Sequence, residues 1–112
     1  MNLIKKILAL FRSNNTIQKT KNICYYDSKD ILLWSVSLKG TFTYNGKTSA
    51  CTAASVSYEI FDKNWKMTDA SASKDGASAK GYFSVKQYKL GIPLKTFEKN
   101  IILTCDCNGK VS

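Results

Sequence analysis

Leu32, Trp34, Val36, Leu38, Gly40, Phe42 and Tyr44 stand on consecutive even positions, and from Ser35 the odd positions carry Ser35, Ser37, Lys39, Thr41 and Thr43. A period of two belongs to a strand with one face on a core and the other in water. No helix gathers these residues on one side. The run therefore commits this part of the chain to an antiparallel sheet. It stops at Asn45-Gly46, a pair that tolerates positive φ and predicts a two-residue type I′ turn. Such a turn pairs Tyr44 with Lys47, Phe42 with Ser49, Gly40 with Cys51 and Leu38 with Ala53. Cys51 then faces the core opposite the one residue of its partner strand without a side chain, leaving room for a sulfur pair. Beyond Ala53 the apolar phase slips to Val56, Tyr58 and Ile60, which predicts a bulge or break near Ala54-Ser55.

The later segments repeat the pattern. Asp62-Lys63-Asn64 reads as a turn, followed by Trp65 and Met67 and then by small residues from Ala70 to Ala79 around an Asp75-Gly76 turn signal. A strict two-residue turn there sets Trp65 and Met67 opposite Lys86 and Ser84, a mismatch that predicts a longer loop or a bulge. Ala79, Gly81, Phe83 and Val85 alternate again. Leu90-Gly91-Ile92-Pro93 interrupts, because proline donates nothing to a ladder. A last strand from about Lys95 carries Phe97, Ile101, Leu103 and Cys105 on one face, and Asn108-Gly109 closes it. Lys99 shares that parity, so the first half of the strand is expected to be exposed. The fold class is all-β: a small antiparallel β-sandwich of five to seven strands, immunoglobulin-like in architecture. Immunoglobulin descent is not implied, since Leu103 stands where a tyrosine should precede the second cysteine and no strand follows Cys105.

The 112 residues divide into three parts. Residues 1–12 form a short basic amphipathic segment, with Leu3, Ile4, Ile7, Leu8 and Phe11 on one helical face and Lys5, Lys6 and Arg12 on or near the other. It reads equally as a degenerate export signal or as an interfacial helix. Residues 13–30 read as a polar linker, and residues 31–112 as the β domain. No apolar run reaches the length of a membrane-spanning helix.

Four cysteines, Cys24, Cys51, Cys105 and Cys107, contain no Cys-x-x-Cys pair, which argues against a zinc ribbon or a redox dithiol. Cys51 and Cys105 both fall on expected inner faces. A bridge between them is therefore expected, with a stabilisation of roughly 4 kcal/mol from loop closure. Cys24 and Cys107 are then left for each other or free. Such a bridge requires an oxidising compartment.

Histidine is absent, which removes the commonest general base and the commonest zinc ligand. No Gly-x-Ser-x-Gly elbow occurs, and the Ser71–Lys74 Ser-x-x-Lys spacing lacks its partner motifs. Glu59, Asp62, Asp69, Asp75 and Glu98 sit mostly in or beside turns. An enzyme is thus not expected, nor a cofactor or a bound metal. Seventeen basic residues against eight acidic give a net charge of +9, and every cation but Arg12 is lysine. Lysine-rich strand faces, with Lys39, Lys80, Lys86 and Lys89 as candidates, predict attraction to an anionic cell-wall polymer, a glycan or a membrane surface. A cationic, bacteriocin-like protein acting on membranes through residues 1–12 is the alternative. A nucleic-acid-binding β-barrel is the weaker one, because Tyr82 and Phe83 point to opposite faces of one strand and make no single stacking platform.

Over residues 34–112 the chain resembles a known group. Gly40-Thr41-Phe42-Thr43-Tyr44-Asn45-Gly46, Cys51, Ser55-Val56-Ser57-Tyr58, Trp65-Lys66, Leu103-Thr104-Cys105 and Asn108-Gly109-Lys110 look like an uncharacterised family of small exported proteins of Gram-positive gut bacteria. The resemblance implies an extracellular or cell-surface β domain and supplies no activity, ligand or catalytic residue. The usual signal peptide of those proteins is replaced here by the shorter amphipathic start.

Overall fold

The computed structural model describes residues 15–112, and among them there is no helix. Six strands follow one another: β1 (Asn15–Tyr26), β2 (Leu32–Tyr44), β3 (Ser49–Ile60), β4 (Trp65–Asp75), β5 (Ser78–Lys89) and β6 (Ile92–Thr104). They make two three-stranded antiparallel sheets, ordered β1-β2-β3 and β4-β5-β6. Neighbours in each sheet are neighbours in sequence, so the Greek-key crossover of an immunoglobulin domain is not formed. Nor do the strands close into one barrel. The expected helix over residues 1–12 lies outside the described residues.

The even-numbered residues of β2 do face the core. Trp34, Val36, Leu38 and Phe42 are fully buried and meet Ala79, Phe83, Val85, Ile101 and Leu103 of the other sheet. At one end of this core the Trp34 ring lies 5.5 Å from Phe83 and 5.3 Å from Phe97, and Tyr25 stacks on it at 5.3 Å. Pairs of this kind add about 0.5–1.5 kcal/mol each beyond the area they bury.

The hairpin register differs from the expected one. Tyr44 pairs with Ser49 rather than Lys47, across a four-residue loop Asn45–Thr48. Asn45 sets that loop: its Oδ1 accepts from the backbone N–H of Lys47 at 2.9 Å and of Thr48 at 2.8 Å. Such an Asx turn competes with the tighter type I′ turn. Cys51 consequently faces Phe42, and Gly40 faces Ala54. The slip of phase occurs at a bulge around Thr52, slightly earlier than expected. Gly40 is bare for another reason than a sulfur pair. A Cβ there would lie 2.6 Å from the Phe42 ring and 2.9 Å from the Ala79 Cβ, so ring and opposite sheet already fill the space.

The bulge expected near Trp65 is present. The register of β4 against β5 shifts between Met67 and Asp69, pairing Trp65 with Gln87 and Met67 with Val85. Trp65 thereby reaches the core and is buried. Two boundaries move. Residues 15–26, expected within a linker, are β1. There Lys19 and Lys21 occupy the core-facing parity between Ile17 and Ile23, which hides the alternation. β6 starts at Ile92 and includes Pro93, which is tolerated because β6 is an edge strand.

The cysteine expectation is also corrected. All four thiols are free, and none is at bonding distance from another. Cys51 Sγ donates instead to the Ala53 carbonyl at 3.3 Å, and Cys105 Sγ to the Asp106 carbonyl at 3.3 Å. With the Cys51–Cys105 bridge goes the inference of an oxidising compartment drawn from it.

Candidate functional site

The register of β4, β5 and β6 fixes which side chains share the solvent face of that sheet. Odd residues of β5 (Ala79, Gly81, Phe83, Val85) look into the core, so the even residues Lys80, Tyr82, Ser84, Lys86 and Tyr88 form the outer row. Beside them stand Ser73, Ser71, Asp69 and Lys66 from β4, and Ile102, Asn100, Glu98, Thr96 and Pro93 from β6. The face is thus rich in hydroxyl, amide and phenol groups with cations at both ends, and it spans roughly 26 Å along β5.

Three features give it chemical character. Lys66 and Lys86 are directly opposite each other on adjacent strands. Like charges so placed destabilise a sheet unless an anion lies between them. A hollow of about 310 Å³ lined by Lys63, Lys66, Tyr88 and Gly91 adjoins this pair. A second hollow, about 380 Å³, is lined by Ser71, Ser73, Lys80, Tyr82 and Asn100 together with the backbone-bearing Ala72 and Gly81.

Tyr82 is held in place by donating its phenol hydrogen to Glu98 Oε2 at 2.9 Å. That bond to a carboxylate pushes the phenol's ionisation up, with desolvation and the Glu98 and Asp69 charges adding to it. Tyr82 therefore presents a fixed, neutral ring. Lys80 Nζ donates to Asp75 Oδ2 at 2.8 Å, and this bond, with the ammonium charge, holds the exposed Asp75 carboxyl below its ordinary range. Among the described residues it is the one ion pair at bonding distance.

Of the four lysines expected to form a basic face, the structure gathers three on the second sheet. Lys80 and Lys86 lie on its outer face, and Lys89 ends β5 beside its turn. Lys39 is on the outer side of β2, across the core from the others, so it does not belong with them. Lys66 and Lys63 take its place. The strict turn register had set Trp65 opposite Lys86. Requiring Trp65 and Met67 to share the core face with Val85 brings Lys66 opposite Lys86 instead, so the signal was present in the sequence. Cys24 is exposed on β1, while Cys107 sits in the loop after Cys105, far from this sheet's cationic end in the order of the strands. Among the described residues no cluster of ligating side chains could hold a metal.

No protein-family model and no curated protein matches the chain. Among solved structures it is similar to the crystal structure, at 2.75 Å, of a hypothetical protein from Listeria monocytogenes. The two share 16% identity with a TM-score of 0.54, over 88% of this chain and 74% of the other. At that identity the likeness is one of fold alone.

Proposed function

We propose that the protein is a non-enzymatic binding module, a small β-sandwich whose outer β4-β5-β6 face takes an anionic glycan or a related anionic cell-wall polymer. The observation that carries this reading is the directly opposed Lys66–Lys86 pair beside a fixed, outward-facing Tyr82. An acidic group seated between the two ammonium groups relieves their repulsion, and sugar rings run along the hydroxyl-rich row toward Lys80. Two hollows on one face suit an extended ligand better than a small molecule. Its location outside the cell or at the cell surface, and its kinship with the small exported proteins, rest on the resemblance over residues 34–112.

The test is affinity electrophoresis in polygalacturonate, dextran sulfate and neutral dextran, with single-stranded DNA as a fourth matrix. Retardation by an acidic polysaccharide that weakens with salt is expected. Replacing Lys66→Glu with Lys86→Glu should weaken it by tenfold or more, about 1.4 kcal/mol. Tyr82→Ala should weaken it without changing the salt dependence. Retention of the double variant at full strength, or selective retention by DNA, refutes the assignment of this face.

A further inference from the structure

The opposite surface property appears where β5 turns into β6. Lys89 pairs with Ile92 across a two-residue turn in which Leu90 has φ of 52° and Gly91 φ of 79°. Asparagine or glycine takes the first of these positions readily, whereas leucine is strained there. Leu90 is nonetheless 95% exposed, so the strain holds an apolar side chain out in solvent rather than in any packing. Backbone strain of this kind points to a use at the tip itself.

Leu90 is not alone. Ile92, Leu94, Ile31, Phe61 and Tyr26 are each more than half exposed and belong to the same end of the molecule. Three links join their loops: Phe61 N–H donates to the Leu33 carbonyl at 2.9 Å, Tyr88 N–H to the Asn64 carbonyl at 2.7 Å, and Lys95 Nζ to Tyr25 Oη at 3.0 Å. The charges around the tip are one-sided. From Lys86 to Phe97 the hairpin carries Lys86, Lys89 and Lys95 and no carboxylate. In the flanking loops Asp27 and Asp62 are turned back on their own backbones, accepting from Lys29, Ile31 and Asn64 N–H groups. Asp30 and Glu59, two residues before Phe61, are the remaining acids of that end, against Lys29, Lys63, Lys66, Lys86, Lys89 and Lys95.

We propose that this end docks onto an anionic lipid bilayer, with Leu90 and its apolar neighbours entering the headgroup region and Lys89, Lys95 and Lys63 lying among the phosphates. An apolar tip ringed by lysine is what interfacial binding requires. A second copy of the chain fits less well, because a two-fold pairing of these ends sets lysine against lysine. The tip adjoins the polysaccharide face and shares Lys63 with it, but Leu90 and Ile92 line neither hollow, so substitutions at those two positions separate one reading from the other.

The full chain is to be sedimented with vesicles of phosphatidylcholine containing phosphatidylglycerol, and with phosphatidylcholine alone. Binding to the anionic vesicles, reduced by salt, is expected. Leu90→Asn combined with Ile92→Ser should weaken it by tenfold or more, while retardation by acidic polysaccharide is unchanged. Since asparagine suits the turn, that variant should fold at least as well as the parent. In a second variant, Leu90→Trp, the indole emission should shift to the blue with anionic vesicles only. Equal sedimentation of the tip variant, no sedimentation of the parent, or a dimer that the tip substitutions dissolve would each overturn the proposal.

Discussion

Cys24 stands on an edge strand with its side chain in solvent, whereas Cys51 and Cys105 are buried between the sheets. Burial pushes the Cys105 thiol's ionisation up, and the neighbouring Asp106 and Cys107 charges push the same way. Only a thiolate attacks a disulfide reagent, so access and ionisation rank these residues together. In the native protein Cys24 should react with an aromatic disulfide reagent at once and Cys107 next. Cys51 and Cys105 should react only on unfolding. Timed absorbance of the released thiol, with and without denaturant, checks this, and all four cysteines should be titratable in the end. Two unreactive residues even in denaturant would restore the bridge that the sequence had suggested. The sequence placed Cys51 on the inner side through the alternation of β2, and that part holds. It could not show Phe42 folding back over Gly40, because a ring's direction is settled by the opposite sheet and not by the strand that carries it.

At the scale of elements, each hairpin turn decides what its strands present. The Leu90–Gly91 turn joins strands that pair across two residues, as Asn-Gly would allow, yet uses leucine at a positive φ. Leu90→Asn should therefore stabilise the protein by about 1 kcal/mol, the approximate strain of an L-residue in the left-handed region. Urea unfolding should show a higher midpoint with an unchanged slope. A lower midpoint would mean that the Leu90 side chain packs after all. The long strand β2 was legible because every inward position is apolar or glycine. β1 was not, because Lys19 and Lys21 take inward positions on an edge that the other sheet scarcely covers. The candidate face was half legible for a related reason. Lys80 and Lys86 follow from the alternation of β5, and Lys89 only from its place beside the turn. Lys66 joins them through the bulge after Met67, whereas Lys39 belongs to the other sheet, which the alternation of β2 alone does not reveal.

Across the whole molecule the two sheets meet closely along β3 and β4, where the chain passes from one to the other, and along β1 and β6 only at the Tyr25 end, through Phe97 and Lys95. On that open side the inward parity of both edges carries lysine: Lys19 and Lys21 on β1, Lys95 and Lys99 on β6. A β1 edge twelve residues long, whose backbone groups on the side away from β2 pair with no strand among the described residues, is a template for another chain. Inward-pointing lysines oppose that pairing, since a second β1 laid alongside would bring further ammonium groups into a groove already holding four. They contribute little to packing within the monomer, being exposed. Lys19→Val with Lys21→Val should therefore leave the monomer's circular dichroism unchanged. It should also produce concentration-dependent association in light scattering, stronger at high salt, where the net positive charge that remains after two of the parent's +9 are removed no longer repels. Lys39→Val with Lys47→Val removes the same charge from outside that groove and should stay monomeric. If both double variants associate alike, net charge alone keeps the molecules apart. If only the first does, the guard is the position of two lysines on an edge, and the irregularity that hid β1 from the sequence is what keeps its sheet from growing.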